Sequence, residues 1–163
     1  MTSRDAIVQA NLALTAVFAV TATMAAVVFS TTWQWVGAIT AMVLFTIGVI
    51  AFLWSYWSAV QRSRTDEIAV TQLYLLMGDA ISSPVRRVMN FTLLTQFVIA
   101  TATTFARPNG PDGNPGSSLA VGFLVPMLGF GLNGLWAVFH GNFAPRTELR
   151  TSQKEIRQNA DHG

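Results

Sequence analysis

Charged side chains are scarce in this sequence, and their distribution is more unusual than their number. Asp, Glu, Lys and Arg make up 11% of the 163 residues, whereas a soluble domain carries about 25%. Three stretches contain none of the four: residues 6–61, 88–106 and 113–145. A helix crosses the roughly 30 Å hydrocarbon layer of a bilayer with about 20 apolar residues. The first stretch can therefore hold two membrane spans and each of the others can hold one.

Residues that would carry chemistry are also missing. Cysteine is absent, which excludes disulfide frameworks, thiolate metal sites and cysteine nucleophiles. His140 is the only titratable group in the third uncharged stretch, whereas a metal site needs two or more further ligands; its position instead suits the C-terminal dipole of a helix. No serine lies in a nucleophile-elbow context. We therefore predict no catalytic residue, no metal site and no cofactor, and a protein that is not an enzyme.

The apolar stretches predict an all-α membrane protein with a single four-helix transmembrane domain. Trp33 and Trp35 lie at one end of the second span and Trp54 and Trp57 at the other, as in the aromatic belts of membrane interfaces. Pro126 predicts a kink in the fourth span. A cleaved signal peptide is the alternative for the first span, but its apolar stretch is too long for one. The four spans are expected at about residues 6–29, 34–57, 88–105 and 119–139.

The polar segment 61–87 joins the two predicted helical hairpins. Val70, Leu73, Tyr74, Met77 and Ile81 follow helical spacing and form one apolar stripe. A helix over about residues 66–81 is too short to span a membrane. We therefore predict an amphipathic helix that lies in the interface, followed at Ser83–Pro84 by the start of the third spanning helix.

Basic residues predict how the chain is oriented. With four spans, both termini, the segment 61–87 and the tail 144–163 share one side of the membrane. The other side holds only Arg107, and an excess of Lys and Arg marks the cytoplasmic side. We predict a multi-pass plasma-membrane protein with both termini in the cytoplasm, and the pI near 9.7 then reflects topology and not a nucleic-acid partner. The basic residues on the predicted cytoplasmic side are Arg4, Arg62, Arg64, Arg86, Arg87, Arg146, Arg150, Lys154 and Arg157.

A compact charge cluster follows the second span. It contains Arg62, Arg64, Asp66 and Glu67. Three interpretations remain open: a solvated helix start with weak ion pairs, a docking surface for a partner protein, or a basic patch beside an apolar stripe that attracts anionic membrane lipids. The second interpretation makes these four residues candidates for partner binding.

Small residues within the spans are candidates for close helix packing. Gly129, Gly131 and Gly134 match the GxGxxG pattern, but a dinucleotide site needs a strand before it, and this motif lies inside a membrane span. We interpret it as a flat glycine face that packs against a partner helix. In the first span, a second face of small residues is expected from Ala16, Ala19, Thr23 and Ala26.

Two amides within the spans have an alternative interpretation. Gln96 and Asn133 would usually hydrogen-bond neighbouring helices, but they could also line a substrate path. In that case the protein would be a small homo-oligomeric transporter of an apolar or amphipathic solute.

Two stretches resemble a family of proteins. WSYWSAVQRSRTDEI, residues 54–68, and GLNGLWAVFHGNFAPR, residues 131–146, resemble a group of uncharacterised small four-span membrane proteins of actinobacteria. The resemblance implies a plasma-membrane location. Some small proteins of this kind are accessory subunits of large envelope complexes, such as Mce-type lipid importers or respiratory assemblies. Our leading hypothesis is a non-enzymatic accessory or scaffolding subunit of a larger membrane protein complex, in contact with membrane lipids.

Overall fold

The computed structural model describes residues 3–78, 81–113 and 116–146, with side chains from residue 6 onward. Four of its helical stretches are long and apolar enough to cross a membrane: Ala6–Val28, Thr31–Arg62, Ser83–Ala106 and Ser118–His140. The prediction of an all-α four-span membrane protein is confirmed. The elements are α1 (Ser3–Val28), α2 (Thr31–Arg62), β1 (Asp66–Glu67), α3 (Val70–Tyr74), α4 (Ser83–Ala106), a 3₁₀ helix (Ser118–Leu124), α5 (Pro126–His140) and β2 (Ala144–Pro145).

A two-residue turn joins α1 to α2. Phe29 takes a positive φ of 47°, which reverses the chain, and the Ser30 side chain caps α2 by accepting a hydrogen bond from the Trp33 backbone amide. Helix α2 has 32 residues and is therefore about 48 Å long at 1.5 Å per residue. It exceeds the roughly 30 Å hydrocarbon layer, so its final turns extend beyond the predicted span end at residue 57.

The fourth span changes helix type at its expected break. It begins as the 3₁₀ helix, and α5 starts with Pro126 after Val125. Proline has no backbone N–H and suits the first turn of a helix. We call the 3₁₀ helix and α5 together span four. In the most apolar part of span four, 67% of the residues are buried, whereas the corresponding share is at most 33% in the other three spans. Span four is therefore the central helix of the bundle.

Each helix of the first hairpin packs against one helix of the second. Helix α1 contacts α4, and α2 contacts span four along its length. The α2 face toward span four carries small residues at three- and four-residue spacing: Gly48, Ala51, Ser55 and Ala59. In lipid, apolar burial provides little drive between helices, so such faces stabilise the contact through close approach.

The prediction that small residues form the packing face of α1 is wrong. Ala16 and Thr23 are exposed, and Ala19 and Ala26 are only half-buried. The buried face of α1 lies a residue away and carries larger and polar side chains: Asn11, Thr15, Phe18, Ala22 and Ala25. Composition alone did not distinguish these two faces, because alanine and threonine occur all round the helix.

The prediction of an amphipathic interfacial helix over residues 66–81 is also wrong in the length of the helix. Helix α3 has only five residues, because Leu76 and Gly78 take positive φ values of 54° and 87° that end the helical backbone. Of the predicted apolar stripe, Leu73, Tyr74 and Ile81 are buried, whereas Val70 and Met77 are exposed. The connection that contains α3 is packed on α5 and rests on protein.

Candidate functional site

Two polar clusters lie inside the helical bundle. The first joins α1 to α4: the Gln96 side-chain amide donates to Thr15 Oγ1 at 2.7 Å and to Asn11 Oδ1 at 3.4 Å. Asn11 in turn donates to the Met89 sulfur at 3.7 Å. Gln96 and Asn11 are almost completely buried, where hydrogen bonds between spanning helices contribute about 0.6–2 kcal/mol each. This cluster therefore fixes the position of α1 against α4.

The second cluster attaches the connection after α3 to the bundle. Asn133 of α5 donates to the Tyr74 carbonyl at 2.9 Å and to Asn90 Oδ1 at 3.3 Å. Asn90 of α4 donates to the Leu75 carbonyl at 2.7 Å. A chain that leaves a helix has unpaired carbonyl groups, and two side-chain amides satisfy them here. The segment is thus held to both α4 and α5.

Tyr74 anchors the same segment against α2. Its ring stacks on Phe52 with 4.4 Å between ring centroids and 17° between planes. The Tyr74 ring and the Ser55 hydroxyl both lie where a Cβ on Gly134 would be. Burial raises the pKa of the Tyr74 hydroxyl, and the nearby Ser55 side chain lowers the pKa by less. The phenol stays neutral and fills the gap that Gly134 leaves.

The three glycines of the GxGxxG pattern provide close packing within the chain and not a flat face toward a partner. A Cβ on Gly131 would fall on the Gly48 carbonyl of α2, and a Cβ on Gly129 would lie 2.6 Å from Leu93 of α4. At 100° per residue, positions two and five residues apart point in different directions. All three glycines are buried, which corrects their assignment to a partner surface.

Arg62 links the ends of α2 and α5. Its Nε donates to Asp66 Oδ2 at 2.6 Å. Its Nη1 and Nη2 donate to the carbonyl groups of Val138 at 2.6 Å and Gly141 at 3.1 Å. These carbonyls belong to the C-terminal end of α5, where the helix dipole favours positive charge. Arg62 is therefore a cap for α5, the role that the sequence suggested for His140, whose ring lies 5.5 Å from that of Trp136.

The exposed side chains around the β1–β2 pair form a small charged surface next to Arg62. Strands β1 and β2 pair antiparallel, with Glu67 opposite Ala144. The Arg146 backbone amide donates to the Thr65 carbonyl at 2.9 Å, and its side chain donates to the Ser63 carbonyl at 3.3 Å. Arg64, Glu67 and Arg146 are exposed. We call this surface, with Arg64, Glu67 and Arg146 as its exposed members, the charged end surface.

The structure separates the predicted site residues into four groups. Arg64 and Glu67 remain accessible, whereas Arg62 and Asp66 hold the fold, and the three glycines are buried. Gln96 and Asn133 are fully buried, and their amide nitrogens donate within the two polar clusters. Their amide oxygens have no hydrogen-bond partner among the described residues. Sequence reasoning missed Arg146 as a neighbour of the charge cluster. The signal was weak, because Arg146 lies about 80 positions from the cluster and the β1–β2 pairing brings it there.

Comparisons with protein families, with curated proteins and with solved structures found no match. The fold of the described residues defines the class as a multi-pass membrane protein, with three spanning helices around a central, glycine-rich fourth span.

Proposed function

We propose that the protein is a non-enzymatic accessory or scaffolding subunit of a larger plasma-membrane complex, for example an envelope lipid-transport machine. Its termini and the charged end surface lie in the cytoplasm in this proposal, because nine basic residues against one follow the positive-inside rule. The charged end surface is the contact with the partner.

The observation that carries this proposal is the way Arg62 builds the charged end. One guanidinium group binds a carboxylate on β1 and two carbonyl groups at the C-terminal end of α5, and the β1–β2 pair extends this framework. The exposed side chains therefore stand on a rigid base. A preorganised surface loses less conformational freedom when a partner binds.

The transporter alternative has less support. It needs Gln96 and Asn133 to contact a solute, but their side-chain amides are 0% exposed and donate to Thr15 and to the Tyr74 carbonyl. A solute would have to displace contacts that position α1 and α3. These amides make the kind of buried hydrogen bond that holds membrane helices and their connections in place.

Site-specific photo-crosslinking in native membranes tests the proposal. A photoreactive phenylalanine analogue at Arg64 should give an adduct with a second protein, identified by mass spectrometry. The same analogue at Asp112, which is exposed in the connection between α4 and span four, is the matched control and should give none. A protein that yields no adduct at either position and runs as a monomer in mild detergent would contradict the proposal.

Reconstitution tests the alternative directly. If purified protein in liposomes moved an amphipathic solute and Gln96→Leu abolished that movement, a transporter would replace the scaffold as the preferred function.

A further inference from the structure

A cavity lies at the start of α2, at the opposite end of this helix from the charged end surface. Thr31, Gln34 and Trp35 of α2 form one wall. The other wall includes Asp112, from the connection after α4, and Ser118 of the 3₁₀ helix. The cavity has a volume of about 410 Å³, within the range of about 300–1,000 Å³ that is typical of ligand sites.

Asp112 gives this cavity a negative charge that no neighbour neutralises. In the part of the chain that the structure describes, its carboxylate makes no hydrogen bond or ion pair. Arg107 is the nearest basic residue in the sequence, but it is directed to α1: its Nε donates to the Ala26 carbonyl at 3.1 Å, and its guanidinium lies over the Phe29 ring at 4.4 Å. The cavity therefore favours a ligand that carries positive charge.

Gln34 contributes a polar atom without a partner. Its side chain is 6% exposed. Its Oε1 accepts a hydrogen bond from Ser118 Oγ at 2.9 Å, whereas its Nε2 has no acceptor among the described residues. If the amide were turned over, the nitrogen would meet Ser118 and the oxygen would lack a partner. A ligand hydroxyl group can donate and accept, so it satisfies Gln34 in either orientation.

The rest of the cavity wall determines which kind of cation fits. Trp35 is 64% exposed, and the face of an indole ring attracts cations. Ala38, Pro111 and Val121 add apolar surface. A primary ammonium group has three N–H donors that each need an acceptor. A quaternary ammonium group has none, and its methyl groups can pack against apolar walls, so this cavity suits it better.

We propose that the cavity binds a small quaternary ammonium compound with a hydroxyl group, as in choline. The cation contacts Trp35 and Asp112, and the hydroxyl group contacts Gln34. Trp35 belongs to the aromatic belt at this end of α2, and such rings favour the headgroup level of a bilayer. The ammonium group can therefore come from a free compound or from a lipid headgroup.

Equilibrium dialysis of radiolabelled choline against the full-length protein in a maltoside detergent tests this binding. The competitor is the neutral analogue of choline in which carbon replaces the nitrogen. We expect one saturable site, from which unlabelled choline displaces the label at about tenfold lower concentration than the neutral analogue does. The absence of saturable binding, or equal displacement by both compounds, would overturn the proposal.

Two variants examine the contacts of the cation. Asp112→Asn should weaken choline binding about tenfold and leave the binding of the neutral analogue unchanged. Trp35→Leu should also weaken choline binding, whereas Trp57→Leu, which removes a similarly exposed indole near the other end of α2, should not. If the two tryptophan variants lost affinity equally, contact with exposed rings in general would replace a specific site.

The contact of the hydroxyl group is measured as a ratio of affinities. Tetramethylammonium carries the same charge as choline but no hydroxyl group. The wild-type protein should prefer choline about fivefold, as one hydrogen bond would give, and Gln34→Leu should remove this preference. The ratio stays informative if the variant binds both compounds less tightly. A preference that persists in Gln34→Leu would refute the hydroxyl contact.

Nanodiscs distinguish the two sources of the ammonium group. If the site takes lipid headgroups, choline binding should be weaker in discs that contain phosphatidylcholine than in discs of phosphatidylglycerol alone. Equal binding in both kinds of disc would identify a free compound as the ligand. The proposed partner contact uses other residues at the other end of α2, so it can fail while choline binding holds.

Discussion

Gly131→Ala tests whether α2 and span four are held together by close approach. The added methyl group would fall on the Gly48 carbonyl oxygen and lie 3.0 Å from the Ala51 Cβ, where ordinary contact begins at 3.4 Å. A backbone carbonyl cannot rotate away, so the helices must separate by roughly 1 Å. A gap of about 0.5–1 Å removes a quarter to a half of the dispersion attraction, and lipid offers little hydrophobic drive to replace it.

Two opposing effects set the size of the change. Overpacking of this kind costs about 1–3 kcal/mol, whereas alanine in place of a helical glycine gains up to about 1 kcal/mol through helix propensity. Gly37→Ala separates the two effects, because it has the same gain in propensity while its Cβ would meet the Ala25 Cβ at 3.2 Å, a contact that a small shift relieves. The free energies of unfolding of the two variants should therefore differ by about 1–3 kcal/mol.

Unfolding by SDS in mixed micelles, followed by circular dichroism, measures this difference. We expect Gly37→Ala to unfold at or above the wild-type SDS fraction and Gly131→Ala to unfold below it. Equal midpoints for the two variants would refute the conclusion that the Gly48–Gly131 contact sets the distance between α2 and span four.

Three further predictions concern other parts of the molecule. Asn133→Leu leaves the Tyr74 carbonyl without its donor. Loss of a hydrogen bond worth about 0.6–2 kcal/mol should raise hydrogen exchange in residues 72–78 about 3- to 30-fold. Unchanged exchange would contradict the anchoring role of Asn133. Arg62→Gln removes the charge-assisted hydrogen bonds that cap α5 and should lower the free energy of unfolding in the SDS titration by about 1.5–3 kcal/mol. Arg64→Gln, the control, should change it by less than about 0.5 kcal/mol. Similar losses for both variants would argue against the cap. The chain lacks cysteine, so a single introduced thiol reports orientation: Asn109→Cys should react with an impermeant maleimide in intact cells, and Arg64→Cys only after permeabilisation, whereas the reverse pattern would invert the proposed topology.

The location of the charged residues explains why the spans were predictable. A spanning helix must exclude charge and satisfy its own backbone groups, so uncharged stretches mark the spans without any knowledge of neighbours. The predicted third span, residues 88–105, falls inside α4 for this reason. The end of α2 was less predictable, because a helix that leaves the hydrocarbon layer can continue into water, and it does so as far as Arg62.

The candidate site was predictable only in part. Arg64 and Glu67 are accessible as expected, but nothing local distinguishes them from Arg62 and Asp66, which hold the fold. The helical spacing of Val70 to Ile81 predicted a longer helix than α3, because residue patterns do not report that Leu76 takes a positive φ. Tertiary hydrogen bonds from Asn90 and Asn133 satisfy the carbonyl groups of that irregular backbone.

By itself, the sequence determined that the chain crosses a membrane four times, because the length and charge content of each stretch decide its partition between lipid and water. The tertiary structure decided which faces of those helices meet. Gly129 and Gly131 pack against different helices, and Arg62 binds carbonyl groups 76 and 79 positions away. Such contacts depend on the shapes of two helix surfaces together. The residue pattern of one helix does not show which surface of another helix it meets.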